Sequence, residues 1–398
     1  MTSRSDRLGL TALTALVVGS MIGAGIFSLP QNIARSAGPG VALIGWMISG
    51  LGMLMLAFVF QNLANRKPEL DTGIYAYARA GFGDYIGFSA AWGYWICSLL
   101  GNVSYFVLIF SGLGYFVPAF GEGNTWQAVA CASVLLWSMH AMILRGIRQA
   151  ALVNAVVTVA KIVPIVVFLI IAAVGFKAEI FTGDFWGTAA LGSVGEQLRG
   201  MMLITVWVFI GIEGASIYSR RAAKRSDVGR ATIIGFLCVL ALLMLVNLLS
   251  MGVLRQDALA HARNPSMAFV LEAIVGPWGA TLIIIGMIVS VLGALLAWVL
   301  LCAEVLYAAA GDGTMPAFLG RENARQVPAN ALWLTNGLIQ LFLVITLFSA
   351  GTYTSLVLLG ASMSLVPYLF SAGYGALLAL RGETYAGQPA LRIRDLLA

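Results

Sequence analysis

Apolar runs about as long as a bilayer is thick recur along this 398-residue chain and restrict it to very few folds. Ten can be counted, at about 10–33, 40–64, 84–116, 125–143, 150–176, 198–218, 229–254, 275–309, 330–349 and 353–380. A helix rises about 1.5 Å per residue and the hydrocarbon core is roughly 30 Å thick, so about 20 apolar residues make one crossing. Charged residues amount to only 10% of the chain, against about 25% in soluble domains. The sequence therefore predicts an all-α polytopic membrane protein with short loops, forming a single transmembrane domain over 1–398.

The distribution of charge sets its orientation. With the N-terminus inside, seventeen of the 23 Lys and Arg residues fall on the inner side and five on the outer, while Lys161 lies within a span. That bias predicts a cytoplasmic N-terminus, and it turns the net charge of +6 into a topology signal rather than a nucleic-acid surface. The compact basic loop SRRAAKRSDVGRAT carries much of it, with contact to anionic lipid as a minor addition. Cys97, Cys131, Cys238 and Cys302 show no CxxC spacing, so neither a disulfide framework nor a zinc site is expected. Two histidines and scattered hydroxyls assemble no nucleophile, base and orienter, which argues against an enzyme. The basic N-terminus precedes a run that continues past Gly25 without a persuasive cleavage site, so it is taken as the first membrane helix and not a signal peptide.

Interruptions within the runs carry the functional information. In TVWVFIGIEGAS, Thr205 to Ser216, the carboxylate of Glu213 lies between Gly211 and Gly214. A charge at membrane depth costs roughly 2.5 to 3.5 kcal/mol on insertion scales and usually faces a bundle interior or an aqueous cavity. Glycines there mark either a helix break lining a cavity or the close approach of a neighbouring helix. The first run, LTALTALVVGSMIGAGIFSLP, has Gly19, Gly23 and Gly25 crowding its middle. An unwound stretch offers free N–H groups at a half-helix N-terminus, which suit a carboxylate. Two interrupted spans five segments apart predict inverted repeats of five helices, about 8–176 and 198–380, with a short cytoplasmic tail over 381–398.

Further polar residues stand inside apolar runs. Tyr94, Ser98 and Asn102 share a helical stripe that Tyr105 continues, either lining a polar cavity or bonding between helices. Lys161, about seven residues from the basic inner end, is a proton carrier or an internal stand-in for a bound cation, with snorkelling as the alternative. Trp298 at mid-helix suggests an aromatic wall inside the bundle or plain core packing. Glu304 lies nearer the inner end, where loop groups are expected to bond it. The tail RGETYAGQPALRIRDLLA is polar and basic, and no helix is expected beyond the tenth.

The motifs GSMIGAGIF, GYWICSLLGN, WVFIGIEGAS, Trp298 followed by AAAGDGTMP, and LVPYLF together resemble the amino acid–polyamine–organocation transporters, over essentially the whole chain. Within them the chain looks most like the basic amino acid/polyamine antiporters, especially the bacterial arginine/ornithine antiporters. The resemblance implies a fold of two inverted five-helix repeats with helices 1 and 6 broken, plus two last helices that this chain lacks. It places the substrate carboxylate at Ala24 and Gly25 of the GAG break, counts Gly23 among the substrate-binding residues, and puts the α-amine on carbonyls near Met21, Trp207 and Ile210. It makes Trp207 an aromatic gate and Trp298 the ring stacked on the substrate side chain, with Cys97, Ser98 and Asn102 as the distal pocket. Glu213 becomes the carboxylate linked to pH response and gating, and Tyr94 and Tyr368 become closing aromatics. Ala24 stands where the agmatine-exchanging branch has serine, which favours ornithine or lysine as the exchange partner. The function implied is exchange of cationic amino acids across the inner membrane. Proton-coupled amino acid symport, agmatine or polyamine exchange, and a non-transporting amino acid sensor are the alternatives. The expected partners are small-molecule amino acid substrates and membrane lipid, with a homodimer left open; no nucleic acid and no cofactor are expected.

Overall fold

The computed structural model describes residues 9–70, 74–146, 151–187, 191–213, 225–349, 352–385, 387 and 389–397. Sixteen α-helices follow one another and no strand occurs among the described residues. They are α1 (Leu10–Met21), α2 (Gly25–Ala34), α3 (Pro39–Arg66), α4 (Ile74–Phe82), α5 (Asp84–Leu113), α6 (Trp126–Leu144), α7 (Ala151–Gly175) and α8 (Ala178–Gly183). After these come α9 (Val194–Phe209), α10 (Arg225–Val253), α11 (Gln256–Ala260), α12 (Ser266–Val275), α13 (Pro277–Gly311), α14 (Ala329–Ile345), α15 (Thr352–Arg381) and α16 (Pro389–Leu397). Seven of them, α3, α5, α6, α10, α13, α14 and α15, are long and apolar enough to cross a membrane, and α1 with α2 makes an eighth span bent by 48°. This is the architecture of a multi-pass membrane protein.

Burial distinguishes helices that look alike in sequence. Of the apolar stretch of α5, 83% is buried, against 39 to 50% in the six other straight spans, so α5 runs through the middle of the bundle. Its most extensive partner is α15, and α13 packs along it as well. Apolar side chains left outside, such as Met47, Leu51, Ile170 and Leu369, face outward as lipid-facing residues do.

Both interruptions take a definite form. α1 ends at Met21, and α2 starts at Gly25 after a three-residue link. α9 begins with a capping box, Ser193 with Glu196, and ends at Phe209, well short of the 198–218 run read from the sequence. Ile210 turns out of the helix with ψ 132°, and Gly211 follows at φ 106°, a left-handed backbone that a Cβ would strain. Gly214 and the first part of the basic loop after it, 219–224, lie outside the described residues.

Two expectations need correction. The apolar helix α12 and the short α4 were not separated as elements, because each sits beside a longer run. The tail also does not lack a helix, since α16 forms after α15. Polar bonds rather than apolar packing hold it. Arg392 Nε and Nη2 donate to the carbonyls of Ala379 and Leu380, satisfying the C-terminal end of α15. Asp395 pairs with Arg66 at 3.2 Å and accepts from Tyr385 Oη at 3.0 Å, while the Arg66 guanidinium lies 3.6 Å from the Tyr385 ring centroid.

Candidate functional site

The two interrupted backbones meet. The Ser20 hydroxyl, just before the first link, donates to the Gly211 carbonyl at 3.1 Å. A Cβ built on Gly211 would stand 2.7 Å from the Ser20 carbonyl oxygen, so glycine is required there by contact as well as by φ. Beside this junction lies a cavity of about 520 Å³, counting the space open to solvent.

The lining combines backbone ends with aromatic walls. Met21, Gly23, Gly25 and Ile26 contribute the first link and the start of α2, where helix geometry leaves N–H groups without intrahelical partners. Ile210 and Trp207 bring the end of α9. The carbonyls of Met21 and Trp207 each accept one backbone N–H, from Gly23 at 2.9 Å and Ile210 at 3.2 Å, and a carbonyl oxygen has a second lone pair. α5 presents Cys97, Ser98, Gly101 and Tyr105, and α13 presents Trp298. The Trp207 indole is wedged among glycines of three helices: a Cβ on Gly25, Gly101 or Gly360 would come within 3.2, 3.3 or 2.7 Å of the ring. Among the lining residues there is no carboxylate and no cationic side chain.

Eight of the ten expected substrate residues line this cavity, namely Met21, Gly23, Gly25, Cys97, Ser98, Trp207, Ile210 and Trp298. Ala24 and Asn102 do not. Ala24 is buried within the link, between the two glycines that reach the lining. Asn102 is one residue, hence about 100°, past Gly101, which takes the lining position on α5. Its Nδ2 donates to the Ser98 carbonyl at 3.0 Å and its Oδ1 is buried without a partner. The cavity face of α5 is thus 97, 98, 101 and 105, turned from the 94, 98, 102 stripe. Gly101 and Gly360 escaped the sequence reading because a glycine in an apolar helix does not announce which neighbour it admits.

The four residues assigned to gating divide into two groups. Glu213, only 1% exposed, accepts from Tyr94 Oη at 2.7 Å, Tyr368 Oη at 3.0 Å and the Gly211 N–H at 3.2 Å. Along α5 this cluster precedes the cavity, since Tyr94 lies about one turn before Cys97 and Ser98. Lys161 on α7 is 6% exposed, and its Nζ donates to the Gly19 carbonyl at 2.9 Å. It reaches into the bundle to the end of α1 and does not snorkel to the surface.

Residues 8–381 match the model of the amino acid permease family. The chain belongs to that family. Among characterised relatives, the permease is 64% identical to an arginine/ornithine antiporter of Pseudomonas aeruginosa, over 99% of this chain and 83% of that protein. It is 52% identical to an L-lysine transport protein of Corynebacterium glutamicum, over 95% and 76% of the two chains. It is also 44% identical to an arginine/agmatine antiporter of Chlamydia trachomatis, over 98% and 82%. The permease is accordingly a transporter and not an enzyme.

Proposed function

We propose that this permease exchanges cationic amino acids, arginine against ornithine or lysine, across the inner membrane by alternating access. The observation that carries the reading is the cavity at the junction of the two broken backbones. It offers unpaired helix-start N–H groups at Gly25 and Ile26 for a carboxylate and the second lone pairs of the Met21 and Trp207 carbonyls for an ammonium. Trp207 and Trp298 line it as aromatic faces for a cationic side chain. A guanidinium over an indole gains about 0.5 to 2 kcal/mol, which holds a ligand that must also leave. Arginine, ornithine and lysine appear in the names of the relatives quoted above.

Site roles follow from placement. Ala24 and Gly23 belong to the carboxylate link through their backbone, and Asn102 supports the distal end through Ser98. The Tyr94–Glu213–Tyr368 cluster closes the cavity on one side. Lys161 occupies the place of a cation at the end of α1. The helices are read as inverted five-helix repeats, with the N-terminus cytoplasmic as the basic bias directs. Proton-coupled symport is the second reading, favoured by two buried ionisable groups beside the two links.

Reconstituted counterflow separates the two. Labelled arginine should enter proteoliposomes only when ornithine or lysine is present inside. Uptake into empty vesicles driven by a pH gradient would replace exchange with symport.

A further inference from the structure

A second cavity, of about 430 Å³, lies farther along α5 from the Tyr94 cluster than the central one does. Central-cavity residues Gly101 and Tyr105 are followed on the same helix by Leu108 and Ser111, which line the second cavity. On α2 the order is the same: Gly25 belongs to the first, Gln31 to the second, six residues and roughly 9 Å apart at helical rise. Between the two, the hydroxyls of Ser28 and Tyr353 are hydrogen-bonded at 2.7 Å. The basic bias puts this second cavity on the outer side.

Its chemistry differs from that of the central cavity. Arg35, Arg263 and Glu122 line it, and neither Arg263 nor Glu122 has an ion pair among the described residues. Two side-chain amide oxygens in the same lining, Gln31 Oε1 and Asn264 Oδ1, are buried without a hydrogen-bond partner. Gln31 is 3% exposed, and its Nε2 donates to the Ala262 carbonyl. A carbonyl only accepts, so the amide nitrogen must face it, and Oε1 is left as the free acceptor. Buried acceptors without donors are uncommon in folded proteins and call for a ligand or a water.

We infer that this cavity is a second binding site for a zwitterionic amino acid with a cationic side chain, occupied before the central cavity. The guanidinium groups of Arg35 and Arg263 match a carboxylate. Gln31 Oε1, Asn264 Oδ1 and the Glu122 carboxylate match ammonium or guanidinium donors. A simple anion would leave both amide oxygens unsatisfied, and an amine without a carboxylate would leave the Arg263 guanidinium unmatched, whereas Arg35 already donates to the Ala260 carbonyl and to Thr354 Oγ1. The Ser28–Tyr353 pair is the barrier between the two sites.

The test is equilibrium binding of labelled arginine to the full chain in nanodiscs, paired with exchange kinetics measured from each face. The parent should bind two arginines per chain, one weaker than the other. Trp298→Leu should weaken the tighter site alone, while Arg263→Ala and Asn264→Leu should each remove the weaker one. Both of the latter should raise the external KM at least threefold, with internal KM and maximal rate unchanged. A structural defect would instead move both faces or the maximal rate. A stoichiometry of one in the parent, or equal KM changes on both faces in both variants, overturns the second site. Two arginines bound without any exchange would sink the exchange reading and leave this site standing.

Discussion

The two links where the backbone leaves its helix touch each other, yet they are braced by opposite charges. At Ile22–Ala24 the exposed groups are the last carbonyls of α1, and an ammonium answers them: Lys161 donates to Gly19 O from 142 residues away on α7. At Ile210–Glu213 the exposed group is an N–H, and a carboxylate of the same link answers it, taking the Gly211 N–H and two tyrosine hydroxyls. Each charge suits its end, since carbonyls need donors and N–H groups need acceptors. The first link is therefore held by packing across the fold. The second is partly self-contained and tied outward to α5 and α15.

Substitutions at the two links put that contrast to the test. The largest effect is expected for Gly211→Ala, which forces a Cβ into a left-handed backbone and against the Ser20 carbonyl. Backbone strain of this kind costs about 1 to 3 kcal/mol and would hold the links apart. Exchange per folded molecule should fall more than tenfold, with a lower melting temperature; parent-like exchange would mean that the links do not depend on their contact. Lys161→Ala comes next. It strands the half-buried Gly19 carbonyl, at up to about 1 to 3 kcal/mol, and should reduce exchange severely while the protein is still made and inserted. Normal exchange rates across pH in that variant would remove Lys161 from the first link's function.

Glu213→Gln should act more gently, because an amide retains an acceptor for the Gly211 N–H. Arginine should still bind, while exchange should slow, because the amide NH2 replaces one of the two carboxylate oxygens that accept from Tyr94 and Tyr368. A variant whose exchange rate equals the parent's would leave Glu213 a structural brace only. Trp298→Leu touches neither link and serves as the control. Loss of the indole should weaken arginine about 2- to 30-fold, corresponding to about 0.5 to 2 kcal/mol, with thermal stability nearly unchanged. A neutral isostere weakened equally would argue against stacking. Tyr368→Phe removes one of several donors to Glu213 and should cost the least, about 0.5 to 1.5 kcal/mol of stability measured by thermal unfolding.

The positions of the links were legible in the sequence because clustered glycines and an internal charge interrupt the apolar background there. Gly23, Gly25, Gly211, Glu213 and Lys161 are all of this kind. Trp298 was legible as a polar-edged ring at membrane depth, and Trp207 through the family resemblance alone. Gly101 and Gly360 were not, since their role is to admit the Trp207 ring from other helices, and nothing local records that. Asn102 shows the converse. Its polarity drew it into the expected lining, but helical phase turns it to the Ser98 carbonyl, and phase depends on how α5 is rotated among its neighbours.

Composition and periodicity by themselves determined an all-helical membrane chain, the approximate ends of its spans and the two places where helices stop, because these follow from hydrogen-bond satisfaction within single segments. Only the tertiary structure decided that α5 is the enclosed helix and that the two links meet at Ser20 and Gly211. The same holds for the distant partners, Gly19 for Lys161 and Tyr94 and Tyr368 for Glu213. Those outcomes depend on packing between residues far apart in the chain, where shape and the pairing of buried polar groups select one arrangement among many that the same apolar pattern permits.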